Sequence, residues 1–343
     1  MRGHKRSWRA AAALGMVLAV GGSVISGCGG GSGRDTLVIY SGRTSNLIKP
    51  LLDKFAEETD TNIDVRYDNS ANLALLLDEE GDHTDVDVFL SQSPGAVGFL
   101  DEQGRLGEIS SDLLGKVPEG DAAADGSWIG LSGRVRTLVY NTDLVDPATL
   151  PTSVLDLIKP EYAGKVALAP TNGSFQDFVT VLREKLGEEA AGSWLQAMAD
   201  GNPPTFNDNT AIVEAVGRGE VPMGLVNHYY AFVAKSDNPD LPVENHFFAP
   251  GDYGSTLLVT AASIVKDTDQ PEAARKFVEF LLSEEAQKYF ASETFEYPLA
   301  SGVQPNPVLP PLDQINPTRV DLSTLGGDLE STAELIQRSG LSS

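Results

Sequence analysis

Apolar and polar positions along the chain follow two periods, and each switch between them marks an element. The run Thr36-Leu37-Val38-Ile39-Tyr40-Ser41-Gly42 is β-branched, apolar and closed by a turn, which predicts a first strand. Leu47, Ile48, Leu51, Leu52 and Phe55 recur at helical spacing within 46–58. Residues 63–67 alternate as a strand, 72–80 form a leucine-rich helix, and 85–90 are a third strand. Gln92-Ser93-Pro94-Gly95 then opens a helix running through Leu100. This β-α-β-α-β-α order predicts a parallel sheet with helices on both faces. The loops after Tyr40 and Leu90 fall at carboxyl ends of strands, where open α/β folds meet their ligands.

A long β run over 128–141, broken by Gly130 and Gly133, could pass from one lobe into another. A second β/α block follows it. Residues 166–169 are a strand, Asn172-Gly173-Ser174 opens a helix, and 188–199 is a further helix. Asn207-Asp208-Asn209-Thr210 caps a helix over 211–217. Residues 221–227 read as a short buried strand running into His228, Tyr229 and Tyr230. A β run over 255–265 could return to the first lobe, before amphipathic helices at 271–282 and 283–291. Six prolines make 298–317 an irregular connector, and 330–339 is a terminal helix. The expected division places 36–133 and 260–313 in lobe 1, and 134–259 and 314–343 in lobe 2. Each lobe is then an α/β unit with a mixed sheet flanked by helices, and a ligand cleft lies between them.

The amino end changes this picture. The first nine residues carry four cations and no acid, and an apolar run spans 10–25. Such a pattern is a secretory signal over 1–27, with an uncleaved membrane anchor as the alternative. Ile25-Ser26-Gly27-Cys28 resembles the bacterial lipoprotein box, which implies cleavage before Cys28 and acylation of its thiol. Residues 28–35 would be a lipid-anchored tether rich in glycine, and the protein would be extracytoplasmic. Cys28 is the only cysteine of 343 residues, so no internal disulfide and no thiolate metal site can form. The formal charge is −24; processing removes four cations and no acid, leaving −28. A field of that sign, with no basic cluster, excludes a nucleic-acid partner.

Enzyme signatures are absent: there is no Walker loop, G-x-G-x-x-G, H-E-x-x-H or G-x-S-x-G. The helix start at Asn172, Gly173 and Ser174 suits an anion, since free N–H groups and the helix dipole attract negative charge. An ordinary cap is the plain alternative there and at Asn209. Tyr229 and Tyr230 could simply pack against the next helix. Together, however, two phenols and an anion seat fit a hard cation. Ferric iron prefers oxygen donors in octahedral geometry, and a nearby high charge lowers a phenol's pKa from its usual ~10.

Seven motifs carry a resemblance: Val38-Ile39-Tyr40-Ser41-Gly42-Arg43, Asp87-Val88-Phe89, Ser132-Gly133-Arg134-Val135-Arg136, Pro170-Thr171-Asn172-Gly173-Ser174-Phe175, Gly219-Glu220-Val221-Pro222, Val226-Asn227-His228-Tyr229-Tyr230 and Glu296-Tyr297-Pro298-Leu299. In order and spacing they resemble the bacterial ferric-iron-binding proteins, the transferrin-like solute receptors of ABC importers. The resemblance implies a two-lobe periplasmic-binding-protein fold of type II, no enzymatic activity, and a monomer that delivers Fe³⁺ to an ABC permease and its ATPase. It places the paired iron ligands on Tyr229 and Tyr230. It places a synergistic anion such as phosphate on Asn172, Gly173, Ser174, Asn209 and Asn227. Phosphate-using members often have a histidine and a glutamate where this chain has Thr44 and Gln92, and another branch has a tyrosine where it has Phe175. Thr44 and Gln92 are therefore minor contacts, and Arg43 is either an aid to the anion or a solvated surface cation. The rival readings are the same fold binding an anion, phosphonate or polyamine, a secreted hydrolase, and a structural surface lipoprotein.

Overall fold

The computed structural model describes residues 36–319 and 329–342. The expected signal segment, the Cys28 acylation site and the tether lie outside these residues. The chain opens with β1 (Thr36–Ser41), α1 (Ser45–Thr59), β2 (Asn62–Tyr67), α2 (Ser70–Glu80), β3 (Val88–Ser91) and α3 (Pro94–Glu102). A short α4 (Ser111–Leu114) leads into the thirteen-residue β4 (Ile129–Asn141). Then come β5 (Val166–Ala167), α5 (Gly173–Leu186), α6 (Glu188–Asp200), α7 (Asn209–Gly217), β6 (Met223–Asn227) and α8 (Tyr229–Asp237). After β7 (Val243–His246) and β8 (Leu257–Ile264), the chain forms α9 (Pro271–Leu281) and α10 (Glu284–Ser292). It ends with β9 (Tyr297–Pro298), α11 (Leu312–Ile315) and α12 (Leu329–Arg338).

The strands run in the order β2-β1-β3-β8-β4-β6-β5, with β7 and β9 also paired to β4. The first three are parallel, as the βαβ rhythm predicts, whereas β8 and β4 enter antiparallel. Every residue of β4 is buried. Its first half pairs with β8 and β9, its second half with β6 and β7, so one strand serves two sheet regions. Two cores follow. One gathers β1, β3, α1 and α9 around Phe55 and Phe277, whose rings meet edge-on at 5.1 Å. The other surrounds Phe175, Phe178 and Trp194 between α5, α6 and α12. Complete burial of each such side chain contributes roughly 1.5–3 kcal/mol.

Several local expectations shift. Helix α7 starts at Asn209 rather than 211, because the Asp208 carboxylate accepts the Ala211 N–H and does the capping. Strand β5 has only two residues, and Leu168 continues as a bridge to Thr205. The strand β7 escapes the period-2 pattern, since three of its four residues are polar. Gly130 sits where the β4–β8 register shifts, between Gly130 and Ser132, and a Cβ there would lie 2.6 Å from the Asp121 carbonyl oxygen and 2.8 Å from Val259 Cγ1.

Only His228 separates β6 from α8, and it is fixed on every side. Its N–H donates to Val135 O and its carbonyl accepts from Asn245 Nδ2. Its Nδ1 accepts the Val135 N–H at 3.0 Å, so the ring proton sits on Nε2 and donates to Phe295 O at 2.8 Å. Burial lowers the imidazole pKa to about 4, against the hydrogen bond to Phe295 O, which favours the cation.

Two tests follow from these contacts. Gly130→Ala should cost about 1–3 kcal/mol in urea unfolding. Gly133→Ala should cost less, because its added Cβ meets only side-chain atoms at 3.0 Å or beyond; equal losses would contradict the packing. The depressed His228 pKa means the unfolded chain binds the extra proton first. Its stabilising contribution is complete above pH 6.5 and is lost as pH falls toward 4, by about 3 kcal/mol in total. The stability gap between wild type and His228→Gln should therefore narrow over that window, and a gap independent of pH would contradict a neutral imidazole.

Candidate metal and anion site

The rigid His228 joint delivers Tyr229 and Tyr230 to the first turn of α8. Consecutive helical residues project about 100° apart, yet the two rings stack with centroids 4.1 Å apart and planes at 27°. Both side chains therefore lean toward one point. Tyr229 is 1% exposed, and its hydroxyl is buried with no hydrogen-bond partner among the described residues. Such an orphan costs about 1–3 kcal/mol. Burial pushes the Tyr229 pKa well above the usual phenol range, reinforced by the Tyr230 phenol and the Glu296 carboxylate. Tyr230 is raised too, mainly by burial, against the Arg134 charge and polar neighbours that lower it.

Both phenols border a cavity of about 690 Å³. Asn172, Gly173 and Ser174 form another part of its wall, at the start of α5. Asn172 caps that helix, accepting the Ser174 N–H at 3.1 Å and the Ser174 hydroxyl at 2.6 Å. Asn227, the last residue of β6, also lines the cavity. Asn209 lies behind this wall, 2% exposed, and donates from Nδ2 to Asn172 Oδ1 and Ser174 Oγ. It is no cap, because Asp208 has taken that role. Gly173 leaves open space, its nearest obstacle to a Cβ being Ser93 Cβ at 3.8 Å.

What gathers these groups is a residue outside the expected set. Arg136, in β4, donates from Nη1 to Ser174 Oγ, Asn209 Oδ1 and Asn227 Oδ1, each at 3.3 Å. Its Nε and Nη2 are buried without partners, and burial lowers its pKa to about 9. Arg134, two residues earlier, lines the cavity; its Nη1 donates to Thr260 Oγ1 and its Nη2 has no partner. The visible signal for both was an arginine at alternate positions in a strand with no other charge, which puts two cations on one buried face.

Arg43 is not a surface cation. It is fully buried, forked onto Glu296 at 2.7 and 3.1 Å, with Thr260 Oγ1 accepting from Nη1. Its charge is thus already matched, although it borders the cavity. Thr44 is an exposed lining residue whose hydroxyl donates to Asn46 Oδ1. Gln92 lines the cavity as well, with a buried Nε2 that has no partner. That group is a donor, suited to an acceptor oxygen and not to a metal ion. The cavity also receives exposed carboxylates from Asp68, Asp208 and Asp237. Among the described residues, no cluster of three or more His, Cys, Asp or Glu side chains is placed to hold a metal.

Comparison with known proteins agrees with this architecture. Residues 84–320 match the family model of bacterial extracellular solute-binding proteins. The Fe(3+)-binding periplasmic protein of Serratia marcescens is 30% identical over 308 residues, which cover 89% of this chain and 90% of that one. Iron-bound HitA of Pseudomonas aeruginosa superposes with a TM-score of 0.85 at 30% identity, covering 89% of this chain and 99% of HitA. The Trichodesmium FutA with iron and citrate gives 0.74 at 28% identity, with 89% and 99% covered. The two-lobe α/β fold is common to all of them. The chain belongs to the bacterial extracellular solute-binding proteins, in the branch of the ferric-iron-binding receptors.

Proposed function

We propose that this chain is the extracytoplasmic receptor of an ABC importer, and that it binds Fe³⁺ through Tyr229 and Tyr230. The observation that carries the reading is the buried, partnerless Tyr229 hydroxyl stacked beside Tyr230 on a cavity. Each phenol gives up a proton when iron binds, and the metal's charge offsets what burial costs the phenolate. Two phenolates leave several octahedral positions open. Thr44 and Gln92 supply no anionic oxygen, so an exogenous anion completes the shell. Phosphate or a carboxylate would sit on the α5 start with Asn172, Gly173, Ser174 and Asn227, and Arg134 would face it with an unused N–H. Asn209 and Arg136 hold that wall in place from behind. The lobes 36–133 with 260–313, and 134–259 with 314–343, would close over the ion by a hinge motion. Delivery to a membrane permease and its ATPase by a monomer anchored through acylated Cys28 completes the reading, with no covalent chemistry on the cargo.

A second reading keeps the fold and drops the metal. Arg134 and Arg136 carry buried N–H groups without partners, and these would suit an anionic solute bound alone.

Ferric citrate added to the purified protein should produce a visible phenolate-to-iron charge-transfer band. Tyr229→Phe and Tyr230→Phe should each remove or strongly shift it; anion binding without metal and without a band would favour the second reading. Arg136→Met removes the one nitrogen, Nη1, from which Ser174, Asn209 and Asn227 all accept. It should weaken iron retention about tenfold against a competing chelator while leaving both phenols in place, and unchanged retention would show that Arg136 does not organise the anion wall.

A further inference from the structure

One carboxylate joins the anion wall to the loop that carries Gln92. Asp177 lies on α5, one turn beyond Ser174, and is 1% exposed. Its Oδ1 accepts the Ser93 hydroxyl at 2.7 Å and the Gly95 N–H at 3.3 Å. Ser93 is the residue at the N-cap position of α3, yet its side chain makes no capping bond within its own helix. The nine-residue α3 is therefore capped from another element by a carboxylate, which both satisfies a free N–H and opposes the positive end of the helix. Ser93 is itself pinned from behind, its carbonyl accepting the Ser91 hydroxyl at 2.7 Å.

The contact spans the two cores. Helix α3 packs Ala96, Val97 and Leu100 into the first. Helix α5 gives Phe175, Phe178, Val179 and Leu182 to the second, while Val181 reaches back to the first. The loop tied by Asp177 carries Gln92 and Ser93, which line the same cavity as Asn172 and Ser174. Asp177 also faces the charges of Arg134 and Arg136 on β4, and its Oδ2 is buried without a partner. Burial raises its pKa to about 6 in spite of these donors and cations. A carboxylate held under that penalty, with one oxygen committed to another helix start, does more than fill a core position.

We propose that Asp177 is a positioning residue which, through Ser93 and Gly95, ties the Gln92 loop to the anion wall and so holds the cavity closed around its occupant. The idea rests on the iron reading above, and the test separates the two. Iron-loaded wild type, Asp177→Ala, Ser93→Ala and the double variant are followed by loss of the charge-transfer band to excess chelator. Each single variant should release iron about tenfold faster, and the double variant no faster than Asp177→Ala, because Asp177→Ala already removes the contact that Ser93→Ala removes. Release at the wild-type rate in the single variants, or effects that multiply in the double variant, would overturn the proposal. If Asp177→Ala does not fold, Ser93→Ala decides alone: faster release supports the tie, and a wild-type rate overturns it. A wild type that shows no band at all would instead remove the iron reading.

Discussion

The constraint on which this structure depends is the burial of guanidinium groups in β4. A strand buried along its whole length would ordinarily be apolar throughout, because an unpaired charge in a low-dielectric interior is expensive. Arg134 and Arg136 are 1% exposed all the same. The protein meets part of the cost with neutral acceptors: Thr260 for one, and Ser174, Asn209 and Asn227 for the other. Three acceptors from three different elements are thereby drawn to one nitrogen. The polar wall of the cavity is in this sense a by-product of solvating Arg136. The remaining N–H groups mark where solvation by the protein stops and a ligand can take over.

The charges are also sorted by distance from the phenols. Arg43 and Glu296 neutralise each other in a fully buried fork that Thr260, Ser132 and Thr294 complete. Thr260 accepts from both Arg43 and Arg134, so the matched pair and the unmatched arginine share one hydroxyl. Arg134 lowers the cost of ionising either phenol, whereas Glu296 raises it for Tyr229. Arg134, which has no carboxylate of its own, thus biases both phenols back toward ionisation against a burial penalty that leaves their pKa values raised. Breaking the Arg43–Glu296 fork would disturb that bias without touching either tyrosine.

Much of the architecture was legible because period and order carry it. The initial βαβαβ succession, the long crossing strand and the helix beginning at Gly173 are all set by local pattern and by capping chemistry. The phenol pair and the Asn172-Gly173-Ser174 start could be singled out for the same reason, since their chemistry is unusual in itself. Other features were hidden because they depend on contacts distant in sequence. Asn209 looked like a cap until Asp208 took the helix N–H. Arg43 looked solvated because Glu296, its partner, lies 253 residues away. Arg136 was a motif member without a role, since three acceptors converge on it only after folding. Strand β7 was invisible because pairing with β4, and not alternation, makes it a strand.

The shared strand has a consequence for the order in which the chain can be assembled. The first sheet ends on β3, whose next neighbour is β8, and Val88 pairs with Ile264 across most of the second core's sequence. The second core, apart from α12 and Leu341, comes from one uninterrupted stretch between β4 and Phe248. The amino-terminal half must therefore wait, with an open sheet edge, until a segment made much later arrives to cover it. Contacts so distant in sequence form slowly, and an unpaired edge in the meantime invites association with other chains. For this topology, the vulnerable period of the newly made protein is set by the time needed to produce and place β8.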